Sequence, residues 1–543
     1  MWPPGSMRAR PAPTLAPLSM LRAWGVAGLA ALVLSVAVEP VGASASVPAA
    51  RFTVGTEAPV TAGLVDDAPA QNSPVVAADP TDERFVVVAN RLDAPDYSCA
   101  LQLSGDGGRG WVGADPVPTL PKGAEKCYAP DVAFDRTGLL YYLFVGLAGL
   151  GNAPMGIFLT TSRDRGRTFS PPHRILAGET KGPRFGVRMA IDRTVGDRGR
   201  MHVVWLQANA QPSLGGLPPS TTNPILAVHS DDGGRTFSAP VQVSDPRRKR
   251  VVAPALTVGP DRAVHVAYYD LEDDVRDYQG LEGPRWEGTW SIVVASSPDG
   301  GKSFGESRLV ADGIVPIERV MLIFTMPPAT IAADRAGGVY VAWPDARHGD
   351  WDVLLSRSQD GGRRWSDPTR MNDDPVGNGR HQYLPVVATA PGGRLDAVFA
   401  DRRNSGDNTR NDTYFTSSSD GGRTFAPNLR LTSESSNARI GPGYLVPSAL
   451  GLKEYGARFG LVSRDAHAVA AWTDTRNAGG GVTNQEIFAV RVGVTGGPVA
   501  DADGGGSGGR VVRAAAALAA AVLVAALALL RRRRAGRAAV EED

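Results

Sequence analysis

The chain has 543 residues, 43 % of them hydrophobic and 21 % charged, with a formal net charge of +1. Of its 57 basic and 56 acidic residues, ten arginines and six acids fall in the first 45 residues or from Asp501 onward, leaving 47 basic and 50 acidic residues between. That near-neutral middle excludes the electrostatic footprint of a nucleic-acid-binding protein, and two cysteines with seven scattered histidines offer no zinc ligand set, so no cofactor or metal is expected.

In chain order, residues 1–45 read as a secretory signal. Arg8, Arg10 and Arg22 precede an apolar run from Trp24 to Val38, and Ala43-Ser44-Ala45 has the small-residue pattern of a cleavage site. Residues 46–71 form an N-terminal segment that contains one short strand, Arg51-Phe52-Thr53-Val54.

From there a repeat governs the sequence. Serine, any residue, aspartate, any residue, glycine, two residues and an aromatic recur six times: SGDGGRGW from Ser104, SRDRGRTF from Ser162, SDDGGRTF from Ser230, SPDGGKSF from Ser297, SQDGGRRW from Ser358 and SSDGGRTF from Ser418. Apolar stretches such as Ile157-Phe158-Leu159 and Val353-Leu354-Leu355 precede the copies, so a strand runs into a tight turn in which glycine supplies positive φ and serine and aspartate oxygens accept backbone N–H groups. The pattern resembles the Asp-box, or BNR, repeat of the sialidase superfamily. In that family the box is a structural turn on the rim away from the active face, which implies the same for Asp106, Asp164, Asp232, Asp299, Asp360 and Asp420.

Two further strands precede each box, for example Ala329–Ala333 and Val339–Trp343, so the unit is a four-stranded blade and the fold class is an all-β propeller over 72–496. A seventh unit, with strands at Ala468–Trp472 and Ile487–Arg491, lacks a box. Arg51–Val54 supplies its fourth strand and closes the ring, which favours seven blades over the alternative of six. Cys99 and Cys127, in the first blade and at the start of the second, are expected to form a disulfide on the oxidising side of a membrane.

After the propeller come a Gly-rich linker (497–510), a predicted transmembrane helix (511–530) and an Arg-rich tail (531–543). The run from Ala514 to Leu530 ends in Arg531, Arg532, Arg533 and Arg534, which places the tail in the cytoplasm and the propeller outside a single-pass membrane protein. No LPxTG motif precedes it.

Three blades carry the same arrangement after their second strands: Asp345-Ala346-Arg347, Asp401-Arg402-Arg403 and Asp474-Thr475-Arg476, followed by Asp352, Asp412 and Glu486 on the next strand. Either each arginine ties its loop to that strand, or Arg347, Arg403 and Arg476 converge on the channel and grip an anion. The family resemblance gives the second alternative its form, since sialidases clamp a sugar carboxylate with three arginines, use an aspartate as acid/base and attack with a tyrosine activated by a glutamate. It implies Tyr455, Glu454 and Asp345 as catalytic residues, with Tyr444 and Arg458 nearby. The family's Arg-Ile-Pro motif is absent, and Arg91 is its positional substitute. Arg184 and Arg188, at the crossing from blade two to three, are further candidates, as is Arg380, at the crossing into blade six.

Blade three carries an insertion from Ala208 to Asn223. A blade-four insertion gathers Asp273, Asp274, Asp277, Tyr278, Glu282, Trp286, Glu287 and Trp290, where Trp286 would stack on a sugar and the acids would serve as general acids or hold calcium, although the spacing matches no defined calcium loop. The function expected is a cell-surface, monomeric propeller that acts on glycans as an exo-α-sialidase-type hydrolase; the alternative is a non-catalytic propeller that binds a carbohydrate or a protein.

Overall fold

The computed structural model describes residues 50–496, apart from 62–69, 94–95, 115–117, 151, 177–181, 183, 197, 209–222, 276–286, 319–326, 443–449 and 479–483. The signal segment, linker, transmembrane helix and tail expected from the sequence lie outside the described residues, as do Asp277, Tyr278, Glu282, Trp286 and Tyr444. Among the described residues no helix is long and apolar enough to cross a membrane.

The described residues form seven antiparallel sheets of four main strands, in chain sequence from the innermost outward in six of them; Ala58–Pro59 and Ser436–Asn437 add a short fifth strand to blades seven and six. Blade one comprises Gln71–Ala78, Val86–Leu92, Ser98–Ser104 and Val112–Gly113; blade two Lys126–Phe134, Leu140–Ala148, Ala153–Ser162 and His173–Arg174. Blade three comprises Arg184–Asp192, Arg200–Gln207, Ile225–Ser230 and Val241–Gln242; blade four Val251–Val258, Val264–Asp270, Trp290–Ser297 and Arg308–Ile314. Blade five comprises Thr330–Ala333, Val339–Asp345, Asp352–Ser358 and Thr369–Arg370; blade six Gln382–Thr389, Leu395–Asp401, Arg410–Ser418 and Leu429–Arg430. Blade seven takes Gly460–Ser463, His467–Asp474 and Glu486–Thr495 from the end of the propeller and Arg51–Val54 from its beginning.

The ring therefore closes as the sequence predicts, with seven blades. Arg51–Val54 pairs antiparallel with Val492–Thr495, Phe52 meets Phe415 edge-on with centroids 5.3 Å apart, and Glu57 receives both Arg476 guanidinium arms at 2.8 and 2.9 Å. Second strands are buried on both faces, as Val86, Val87, Val88 and Ala89 are in blade one, because each sheet is covered by a neighbour on either side. Four indoles, Trp205, Trp290, Trp343 and Trp472, are fully buried, and each N–H finds an acceptor, in Gln207, Asp274, Asp345 and Asp474, at 2.9–3.2 Å.

The six repeated turns begin on the last residue of each third strand. In every copy the serine hydroxyl donates to the aspartate at 2.6–2.9 Å and accepts the N–H of the glycine four residues on at 2.7–2.9 Å. That glycine sits against the preceding blade. A Cβ on Gly108 would lie 2.9 Å from Val469 of blade seven, and one on Gly301 would lie 2.8 Å from His202 of blade three, so any larger residue would push adjacent blades apart.

Burial opposes ionisation of Asp232, yet hydrogen bonds from Thr236, Ser230 and the Arg235 N–H hold its carboxyl down at about 2; Asp420 is held at about 2 in the same way. An unfolded aspartate titrates near ~3.9. The turns therefore stabilise the fold fully above about pH 4 and lose that contribution as pH falls towards 2. Replacing Asp232 with alanine is expected to cost about 1–2 kcal/mol at neutral pH. Thermal unfolding of both proteins checks this: the gap between them should close as pH falls towards 2, and a gap that persists unchanged would refute the assignment.

Candidate functional site

The site is created by a repeated backbone irregularity. In five blades the innermost strand slips register near its start, between Asn72 and Val75, Tyr128 and Asp131, Phe185 and Arg188, Val252 and Ala255, and Tyr383 and Val386. At the slip stand Ser73, Ala129, Gly186, Ala253 and Leu384, all with φ between 51 and 57°. Four of these are not glycine, and the conformation costs them energy that the surrounding sheet must supply. Blade seven enters through Gly456, at φ 90°, where a Cβ would stand 2.7 Å from the Ser73 nitrogen.

A bulge re-aims the side chain that follows it. Val75, Asp131, Arg188, Ala255, Ala329, Val386 and Arg458, one from each blade, line a shared cavity of about 270 Å³. Since every innermost strand contributes, this cavity is the central channel. Three of the seven positions are charged: Asp131 and Arg188 lie midway along their innermost strands, just past the slips, and Arg458 lies just before Gly460–Ser463.

A smaller adjoining cavity shares Arg188 and Arg458 and adds Arg91, Tyr128 and Ser73. Three arginines thus meet at one mouth, but their settings differ. Arg91 is buried and fully engaged: it pairs with Asp93 at 2.6 Å, reaches Glu454 at 3.2 Å and the Tyr128 hydroxyl at 3.2 Å, and lies 5.1 Å over the Tyr128 ring. Burial opposes its charge, but Asp93 and Glu454 hold its guanidinium well above the usual value.

Arg188 and Arg458 are half-buried, and both donate to backbone carbonyls, those of Val187 and Pro130. Burial and then repulsion from Arg188 push the Arg458 guanidinium down to about 9. Burial also lowers Arg188, with Asp131 and Tyr128 opposing and Arg91 reinforcing the effect. Asp131 lines the channel beside them, but its oxygens accept the N–H groups of Val132 and Met189 at 3.0 Å each. An arginine holds its proton throughout ordinary pH, so the lowered values express an electrostatic cost that an anion between the two guanidinium groups would relieve.

The residues picked out in the sequence are distributed differently. Arg347 binds Asp345 at 2.7 Å, Arg403 binds Asp401 at 2.9 Å and Arg476 binds Asp474 at 2.7 Å, each within its own loop. Arg403 and Arg476 also lie 4.3 Å over the rings of Tyr414 and Phe488. They do not converge, so the clamp expected of them is absent. Nor do they pair with the acids of the following strand: Asp352 and Asp412 are taken by Arg370 and Arg430, and Glu486 by Asn477 at 2.6 Å. Asp345 is wholly buried, accepting the Trp343 indole and the Val315 N–H, which corrects its expected acid/base role. Tyr455 is 1 % exposed and bonded to Ser436, and burial raises its phenol well above the usual value; it faces the blade-six to blade-seven packing rather than the channel, so it is no nucleophile there.

Glu454, its neighbour in sequence, turns the other way to Arg91. Arg380 ties two loops together through the Ser405 and Gly406 carbonyls at 2.6 and 2.7 Å. Asp274, among the acids of the blade-four insertion, accepts the Trp290 indole at 2.9 Å. Arg184 is buried at the start of its strand and pushed down to about 10, by burial and then by Arg174. Cys99 and Cys127 are joined as expected.

Asp131 and the pairing of Arg188 with Arg458 escaped the sequence reading. A signal for them exists: Gly186-Val187-Arg188-Met189 and Gly456-Ala457-Arg458-Phe459 occupy the place that Ser73-Pro74-Val75-Val76 and Leu384-Pro385-Val386-Val387 occupy in other blades.

No protein-family description matches the chain, and no curated protein does. Solved structures similar to it include a protein of unknown function from Dyadobacter fermentans, at 13 % identity over 83 % of this chain and 100 % of that one, TM-score 0.43. A Hadza microbial sialidase shows 14 % identity over 77 % and 75 %, TM-score 0.42. An α-L-arabinanase of Penicillium chrysogenum, solved with arabinobiose, shows 12 % identity over 82 % and 98 %, TM-score 0.39.

The two classes of arginine respond oppositely to substitution. Arg403→Ala strands the buried Asp401 carboxylate and is expected to cost about 3 kcal/mol. Arg458→Met removes a repelling buried charge and is expected to stabilise the fold by about 1 kcal/mol. Chemical denaturation of the two variants checks both signs, and loss of stability in Arg458→Met would contradict the electrostatic account.

Proposed function

We propose that the channel mouth binds the carboxylate of an acidic glycan between Arg188 and Arg458. The observation that carries this reading is that two half-buried arginines, each lowered in part by neighbouring guanidinium groups, share one cavity and donate to backbone carbonyls alone among the described residues. A planar fork matches a carboxylate in two bonds, and a low-dielectric channel strengthens the attraction. Tyr128 and Tyr97, packed edge-on at 5.4 Å, add aromatic surface of the kind that stacks on sugar rings. The sugar component rests on the resemblance of the repeated turns to those of the sialidase superfamily.

Binding is preferred to hydrolysis on the state of the mouth itself. Burial pushes the Tyr128 phenol up in spite of Arg91, which is the opposite of activation, and Asp131 spends its oxygens on backbone N–H groups. A hydrolytic reading of the exo-α-sialidase type has one favourable observation, that Tyr128 and Glu454 meet on the same guanidinium of Arg91. The apolar stretches at Trp24–Val38 and Ala514–Leu530, the second followed by four arginines, support display of the propeller outside a membrane.

Calorimetry with methyl glycosides of sialic, glucuronic and galacturonic acids and their neutral counterparts tests the proposal, with released sugar followed by mass. An acid glycoside should bind, its neutral counterpart should not, and Arg458→Met should weaken the affinity by about tenfold or more. Equal binding of acid and neutral sugars would reject it. Release of free acid that Tyr128→Phe abolishes would establish hydrolysis instead.

A further inference from the structure

The anion site has a covalent support directly behind it. Cys99 stands opposite Arg91 in the register of blade one, and Cys127 immediately precedes Tyr128 in blade two. The Cys99–Cys127 bridge therefore ties the strand behind Arg91 to the residue whose hydroxyl and ring hold that guanidinium, at 3.2 and 5.1 Å respectively. Beyond it the two blades meet here through the edge contact of Tyr97 with Tyr128 and the ion pair of Lys126 with Asp96 at 2.9 Å.

The bridge is also reachable. A cavity of about 310 Å³ has both cysteines in its wall, with Pro118, Leu120, Tyr142 and Phe144 around them. Its volume admits a small dithiol, and Cys99, half-buried, is more open than Cys127, at 5 % exposure. Most structural disulfides lie where a reductant cannot reach them without unfolding; this one has an entrance.

We infer that the Cys99–Cys127 bridge is a positioning device for the channel mouth, and that its reduction by a small dithiol loosens Tyr128 against Arg91 and weakens anion binding while the ring stays closed. The thiolate of the reductant attacks the Cys99 sulfur, the S–S bond breaks and Cys127 leaves as thiolate. The second thiol of the reductant then displaces Cys99 and closes a cyclic disulfide, so that two electrons and two protons pass to the protein as two thiols. The ring persists because its closure rests on the pairing of Arg51–Val54 with Val492–Thr495, on the far side of blade one.

The effect on affinity rests on the proposed anion site; the loosening of Tyr128 does not. The test treats the full chain with dithiothreitol below its melting temperature and counts thiols by mass. Amide exchange is then followed across Lys126–Asp131, and affinity is measured with the methyl glycoside of N-acetylneuraminic acid. Two thiols should appear without loss of the far-ultraviolet circular dichroism signal, exchange should rise at Tyr128–Asp131 but not in blades four to six, and affinity should fall about tenfold and return on reoxidation. The double variant Cys99→Ala, Cys127→Ala should show the same exchange pattern without reductant. A bridge that opens only with global unfolding, or one that opens without altering exchange at Tyr128, overturns the inference. If the oxidised protein binds no acid at all, the proposed function fails, and the exchange measurement still decides the role of the bridge.

Discussion

Everything in this fold depends on closing a circle of sheets with a strand from the other end of the chain. A four-stranded blade has two edges of unpaired backbone and two apolar faces, and it is stable only between neighbours. Arg51–Val54 completes blade seven through Val492–Thr495, and Glu57 locks the closure by taking both arms of Arg476. The serine–aspartate turns act on the same problem at the other six positions, each setting a glycine without a side chain against the blade before it, as Gly108 sits on Val469 and Gly301 on His202. Once the circle is closed, the spacing of the innermost strands is set, and so is the channel they enclose.

The channel mouth shows how one residue type serves opposite ends. Arg347, Arg403 and Arg476 neutralise aspartates two residues earlier and close loops. Arg91 is held on three sides by Asp93, Glu454 and Tyr128. Arg188, just past a bulge, and Arg458, just past Gly456, enter one cavity, where burial, Arg188 and Arg91 oppose the charge of Arg458, and burial and Arg91 oppose that of Arg188. Buried like charges that oppose one another are a pattern associated with functional sites, and the proposed anion site rests on that pattern in Arg188 and Arg458.

The legibility of the sequence follows the range of the interactions involved. The turns, the blades and their number were readable because each is specified within ten residues, and the ring-closing strand because Arg51–Val54 copies the segments that follow the other turns. The disulfide was readable from the count of two cysteines together with the expectation of export. The arginine pairs were misread because an Asp-x-Arg repeat looks identical whether the fork folds back on Asp345 or points at a ligand; the side-chain torsions decide, as the 2.7 Å contact of Arg347 shows. Tyr455 and Glu454 illustrate the same limit, since consecutive residues of an extended chain face opposite ways and only packing tells which of them faces the mouth. Arg188 and Arg458 were named in the sequence, but that they share one cavity was hidden: a bulge shifts the inward face by one residue in blade three, and Ser73, Ala129, Ala253 and Leu384 adopt that conformation in other blades against their intrinsic preference.

A crystal structure of the full chain with a bound acidic monosaccharide tests the central claim most directly. The account predicts the carboxylate between the guanidinium groups of Arg188 and Arg458, within hydrogen-bond distance of both and beside Tyr128, with Arg347, Arg403 and Arg476 still paired to Asp345, Asp401 and Asp474. A carboxylate held elsewhere on the propeller, or Arg188 and Arg458 found in ion pairs with side chains of the protein itself, would contradict it.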